Sequence, residues 1–229
     1  RNADAAPWLV GQHAIPLTAE EFPQAARHYP IIFASGDNPV PLALMGLNEG
    51  VNVFVDEAGK VTQPIYIPAY VRRYPFLLAK LNPSSEELSL CFDPTSGLLG
   101  ESVEGVDLFA DGQPSEATKS ALGFCEQFEQ AGQRTQAFID ELKKHDLLME
   151  GEVAIQQEGH DQPFVYRGFQ MVNQDKLREV RGDVLRGWAQ SGLLPLLYAH
   201  LFSLELISQI FGAQVQLGKG PVPAIAIPA

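Results

Sequence analysis

Basic side chains are scarce in this chain, and none occurs from Leu81 to Thr118. Lys and Arg together number 16 against 28 Asp and Glu, so the net charge is -12 at pH 7. That balance argues against nucleic-acid binding, which requires a basic face, and it disfavours adhesion to anionic lipid. Cysteine is nearly absent. Cys91 and Cys125 lie in the apolar contexts LSLCFD and LGFCEQF, which predict buried free thiols rather than a disulfide-stapled scaffold. No Gly-x-Gly-x-x-Gly or Walker loop is present, so nucleotide binding has no support, and no Gly-x-Ser-x-Gly elbow marks a hydrolase. His13, His28, His145, His160 and His200 are scattered singly, and His160 and Asp161 are adjacent rather than spaced as two ligands of a facial triad. No metal and no cofactor is therefore expected. A membrane span needs ~20 predominantly apolar residues. The stretch 192–212 comes nearest, but Pro195, His200, Glu205, Ser208 and Gln209 interrupt it, which predicts a buried or half-buried helix instead.

What is present points to a globular α+β domain. At 229 residues, 45% hydrophobic and 19% charged, the chain can bury a real core. Thr18 and Glu21 have the spacing of a capping box, with Leu17 and Phe22 as its hydrophobic staple, which predicts a helix over 15–28. Apolar runs at 31–33, 40–47 and 51–56, punctuated by SGDNP and NEG, read as an antiparallel meander over 31–61. The run 64–79 continues it, and a further strand follows at 88–92. The long helix is predicted over 115–145, opened by Ser115 and carrying an apolar stripe from Leu122 to Leu142 at three- and four-residue steps. Beyond it come a linker at 146–152, a hairpin of 153–156 with 164–172, helices capped by Asn173 and Asp183, and a last helix over 193–211. His200, on that last helix, reads as a structural histidine. The fold is thus a mostly antiparallel sheet from the first half, with the long helix, a small hairpin and C-terminal helices. A main domain over 1–148 carries a smaller subdomain over 149–229, packed as one unit.

The densest stretch is Pro64 to Ala79, PIYIPAYVRRYPFLLA. Pro64 and Pro68 bracket an extended Ile65-Tyr66-Ile67, and Pro75 stops whatever turn of helix or strand occupies 69–74. Tyr66, Tyr70, Arg72, Arg73 and Tyr74 put phenols and guanidiniums close together, and a guanidinium suits a carboxylate or phosphate. Two readings stand: an anion-binding site, or one Arg paired with an internal carboxylate among packed tyrosines. The acids of 81–118 are candidates to fold back on Arg72 or Arg73. They otherwise form a solvated acidic loop, whose spacing is not that of an EF-hand.

Four stretches, LTAEEFPQAARHYPIIFA (17–34), YIPAYVRRYPFLLA (66–79), GFQMVNQDKL (168–177) and LLPLLYAHLFSLELI (193–207), resemble in order and spacing the bacterial SapC family over roughly residues 14–211. The resemblance implies association with a surface-layer locus, with related genes near outer-membrane receptor and flavin-halogenase-like genes. It implies no catalytic residue set, and the chain lacks the several spans of the peptide-transporter permease that shares the name. It points to Tyr70, Arg72, Arg73, Tyr74, Gly168 and Phe169 as positions of interest. The expected function is a soluble, non-catalytic accessory or binding protein of a surface-layer or outer-membrane uptake system, with an unidentified protein or small anion as partner. The alternatives are an enzyme that holds an anionic substrate on Arg72 and Arg73, and a homo-oligomer joined through the Pro-rich tail GKGPVPAIAIPA. The expected compartment is the bacterial cytoplasm, with periplasm and cell surface left open because the chain begins at Arg1 rather than Met.

Overall fold

The computed structural model describes residues 5–82, 84, 86–101, 105–157, 159 and 162–220. The readings that fell on His160, Asp161 and the tail beyond 220 lie outside them. The chain begins with an arm, then forms β1 (Ala14–Pro16), α1 (Phe22–Ala25), β2 (Ile31–Ala34) and β3 (Pro41–Leu44). α2 (Ala69–Arg72), β4 (Phe76–Ala79), β5 (Ser89–Phe92), β6 (Phe109–Ala110) and β7 (Gln113–Pro114) lead into α3 (Glu116–Lys144). β8 (Leu148–Glu150), β9 (Val153–Ile155), β10 (Phe164–Tyr166) and β11 (Phe169–Val172) follow. The chain then forms α4 (Gln174–Glu179), α5 (Gly182–Ser191), α6 (Leu193–Ser203) and α7 (Ile207–Gln216).

Among the described residues the main sheet runs β1-β3-β2-β11-β8, and every pairing in it is antiparallel. The α+β class follows, with two of the five strands drawn from beyond α3. β8 lies where the sequence predicts only a linker. Gly168, at φ 89°, turns the chain between β10 and β11, so the predicted strand 164–172 divides. β10 pairs with β9, whereas β11 enters the main sheet between β2 and β8. The run 64–79 does not continue the meander: residues 64–68 join no ladder, and β4 pairs with β5 in a separate ribbon. Residues 51–56 likewise form only a bridge, Val55 with Val61.

The predicted helix over 15–28 shrinks to a 3₁₀ turn at Ala19–Glu21 and the single turn α1, because Ile15 pairs in β1. Leu17 and Phe22 are nonetheless buried as a staple requires. Ser115 caps α3, accepting from the Thr118 N–H, and Cys125, Ala131, Thr135, Phe138, Ile139 and Leu142 of its stripe are buried. Asn173 caps α4 through its side-chain oxygen, but Arg181, not Asp183, precedes α5, and Asp183 pairs with Arg181. The run Leu193–Gln216, α6 and α7 with a 3₁₀ turn between, is long and apolar enough to cross a membrane by length and composition. In the fold its Leu197, His200, Ser203, Ile207, Ile210, Phe211 and Gln214 are buried. Both cysteines are free, Cys125 buried and Cys91 half-buried.

The polar groups on that buried face are all engaged. The His200 Nδ1–H donates to the Ile31 carbonyl (2.8 Å), and Nε2 accepts from the Val172 N–H (3.0 Å). Burial depresses its pKa to about 4, so the ring is neutral, a structural histidine as expected. Ser203 Oγ accepts from the Ile31 N–H, and Gln214 Nε2 donates to Asn48 Oδ1 (2.9 Å) and to the Lys219 carbonyl (3.0 Å). These bonds tie the C-terminal helices to the first strands.

Candidate functional groove

Glu21 organises the stretch that follows Pro64. Its buried carboxylate accepts from the Thr18 N–H (2.8 Å) and hydroxyl (3.0 Å), so the backward reach of the capping box is present. The second oxygen serves tertiary structure: it accepts the Tyr66 hydroxyl (2.9 Å) and the Ala69 N–H (2.6 Å), the first N–H of α2. Tyr29 adds a clip by donating to the Tyr66 carbonyl (2.6 Å). Burial, followed by the charge of Glu21, pushes the Tyr66 phenol up to about 12. Thus Pro68, a turn-setting residue before a helix, and Glu21, a carboxylate at the positive helix end, fix one turn of helix and aim the residues after it.

Arg72 and Arg73 leave that turn toward α3, Arg72 exposed and Arg73 half-buried. They lie at a surface rather than in the core. Arg72 Nε donates to the Ile67 carbonyl (3.0 Å) and Nη2 to the Tyr66 hydroxyl (3.1 Å). Its guanidinium lies 5.6 Å from the Tyr66 ring and 5.3 Å from that of Phe124. Arg73 sits 4.7 Å from the rings of both Tyr70 and Phe128. Phe124 and Phe128, four residues apart, share one side of α3, which is why they serve adjacent arginines. Among the described residues neither guanidinium has an ion pair, so the expected internal carboxylate partner is not there. Of the acids of 81–118, Glu86 pairs with Lys80, Glu116 with Lys119, and Asp93 is bonded to Thr95 and Tyr74.

Beside the two arginines opens a groove of about 1010 Å³. Trp8, Val71, Phe76, Leu98 and Phe124 supply apolar wall, and Arg72, Arg73, Tyr74 and Asp93 the polar groups. The arm forms one side, held by the Ala6 N–H on the Gly59 carbonyl (2.9 Å), by Asn52 Nδ2 on the Leu9 carbonyl (3.0 Å) and by Trp8 against the Tyr74 ring at 5.1 Å. Gly59, at φ 80°, has no room for a Cβ, which would strike the Ala6 carbonyl. Asp93 Oδ1 accepts from the Thr95 hydroxyl (2.6 Å) and N–H (2.8 Å), and Oδ2 accepts the Tyr74 hydroxyl (2.9 Å). The Thr95 hydroxyl, then its N–H, then Tyr74 hold the Asp93 carboxyl below its usual range. Desolvation and then Asp93 push the Tyr74 phenol up.

The sequence-predicted residues therefore divide. Arg72, Arg73 and Tyr74 line the groove, whereas Tyr66 and Tyr70 stand behind the guanidiniums as supports. Gly168 and Phe169 line a different, smaller cavity of about 110 Å³, where Phe169 covers Gly151 so closely that no Cβ would fit there. Sequence reasoning did not place Trp8, Phe124 or Glu21 at the site, and it named Asp93 only among the acids of 81–118. For Phe124 and Phe128 the signal is an aromatic pair at helical spacing on the long helix. For Glu21 the capping-box spacing accounted for the residue locally and hid its second partners.

A family model described as SapC matches residues 1–210. The chain belongs to the SapC family. No curated protein and no solved structure matches it. The four stretches that carry the resemblance fall on α1 and β2, on α2 and β4, on β11 and α4, and on α6 and the turn after it, so they reach both the groove and the buried face of α6.

Proposed function

We propose that this SapC chain is a non-catalytic binding protein that holds an anionic small molecule with an apolar body in the groove beside Arg72 and Arg73. The observation that carries the reading is a pair of guanidiniums seated on aromatic rings, without an ion pair among the described residues, at the rim of a groove in a chain of net charge -12. In a chain this acidic, two adjacent arginines without an ion pair among the described residues concentrate positive potential where an incoming anion meets it. Apolar walls with a few convergent polar groups are what small-ligand sites share.

Binding is favoured over catalysis by the chemistry of the lining. No histidine or lysine lines the groove among the described residues. Asp93, with a lowered pKa, is a weak base, and Tyr74, with a raised one, is a weak acid, so neither is matched to proton transfer near neutrality. The family's link to surface-layer and outer-membrane receptor loci supports an accessory role in such an uptake system, with the bound anion as its cargo or signal.

Titration of the chain with decanoate and with decyltrimethylammonium, followed by tryptophan fluorescence, tests the ligand reading, since Trp8 lines the groove. Saturable binding of the anion, weakened by salt, and none of the cation is the expected result. Equal response to both, or to neither, overturns it. A pull-down from a bacterial envelope fraction tests the accessory role: recovery of an outer-membrane receptor or surface-layer component supports it, and recovery of the chain alone counts against it.

A further inference from the structure

We infer that the groove selects a single-headed amphiphile: one carboxylate or phosphate-monoester head received by the fork of Arg73, with an apolar chain lying along Trp8, Phe76 and Phe124. The inference rests on the anion-site reading above and goes on to assign different tasks to the two arginines and to Asp93.

Arg72 is already committed. Its Nε and Nη2 are engaged by the Ile67 carbonyl and the Tyr66 hydroxyl, and that hydroxyl is in turn anchored on buried Glu21. The chain Glu21–Tyr66–Arg72 holds the guanidinium against Phe124 and leaves only its remaining edge for a ligand. Glu21 and Tyr66 are thus positioning residues. The Arg73 guanidinium makes no hydrogen bond to any described residue, yet it is held between the Tyr70 and Phe128 rings. A planar fork with its donors free and its orientation restrained is suited to two oxygens of one head. Restraint by the rings also lowers the ordering cost of binding.

Asp93 limits the number of heads. It lines the same groove, and its three hydrogen bonds from Thr95 and Tyr74 favour the charged carboxylate. A second negative charge on the ligand meets this like charge or an apolar wall, and both oppose it. Of the remaining lining, Trp8, Val71, Phe76, Leu98 and Phe124 are apolar and take the body of the molecule.

Calorimetric titration with decanoate, decyl phosphate, decanedioate and decanol tests the assignment on the full chain and on R73K, Y66F and D93N, with thermal melts checking that each variant folds. The wild type is expected to bind decanoate or decyl phosphate at least about tenfold more tightly than decanedioate or decanol, the tighter of the first two naming the head. R73K, which keeps the charge and removes the fork, is expected to weaken binding about tenfold or more, and Y66F, which releases Arg72, about threefold. D93N is expected to narrow the gap between decanedioate and decanoate. Wild-type-like affinity in R73K, or decanedioate binding as tightly as decanoate, overturns the division of tasks while the anion reading stands. Failure of decanoate and decyl phosphate alike to bind the wild type removes the underlying reading as well.

Discussion

The face beneath α6 and the groove beneath α2 both place polar side chains among apolar ones, and they treat them in opposite ways. On the buried face of α6 and α7, His200, Ser203 and Gln214 are fully buried, and each is bonded to backbone or side chain far away in sequence. At the groove, Arg73 is half-buried and its guanidinium has rings around it but no hydrogen-bond partner among the described residues. A buried polar group with all its bonds made is explained by the fold, since leaving it unmade would cost the folded state. A guanidinium held in place with its donors free is not explained by stability, and that contrast is what singles out the groove as the functional face.

The sharpest way to break the contrast is to remove the imidazole. His200→Ala leaves the Ile31 carbonyl and Val172 N–H without partners and opens a cavity, so urea unfolding is expected to show a loss of ~4 kcal/mol. A loss below ~1 kcal/mol would mean that the face under α6 is no more structural than the groove. Next in size is the pH dependence. His200 is neutral in the fold, with its pKa lowered to about 4, and titrates near 6.5 when unfolded, so acid favours the unfolded state. Its contribution is fully present above pH 6.5 and is lost as the pH falls toward 4, by ~3 kcal/mol in all. Denaturant midpoints across that window check it, and the His200 variant should lose this component.

The arm gives an intermediate case. Gly59→Ala imposes a side chain at φ 80° and against the Ala6 carbonyl, so it is expected to cost ~1–2 kcal/mol and to unseat Trp8, read as a red shift in emission. The smallest effect on stability belongs to the groove itself. Arg73→Met keeps the packing and removes the charge and donors, so the melting curve is expected to move by no more than ~1 kcal/mol, the worth of its ring contacts. Decanoate binding should nevertheless fall at least about tenfold. A large stability loss with binding intact would reverse the roles assigned to the two regions.

Much of the local structure was legible in the residues. The stripe from Cys125 to Leu142, the Ser115 and Asn173 caps and the lone His200 were read correctly because each signal lies within a few residues of the feature it specifies. The main sheet was only partly legible. Nothing near Leu148–Glu150 announces a strand, because what makes it one is β11 alongside. The extended run 64–67 looked like a strand for the same reason in reverse: its residues favour extended backbone, but Glu21 and Tyr29 claim its polar groups before any neighbouring strand can. At the site, the Tyr-Arg-Arg-Tyr density was visible, whereas Gly168 and Phe169 proved to line a separate cavity.

By itself the sequence determined the acidic balance, the free thiols, the long amphipathic helix with its cap and the clustering of Arg72 and Arg73 among tyrosines. Composition and short-range spacing are sufficient for these. Only the tertiary structure decided that β11 enters beside β2, that Phe124 and Phe128 rather than a carboxylate meet the guanidiniums, and that the arm and Asp93 wall a groove around them. Each of those depends on groups dozens of residues apart. Which of them meet is settled by burying one shared core at once, a constraint that acts on the whole chain and leaves no mark in any single stretch of it.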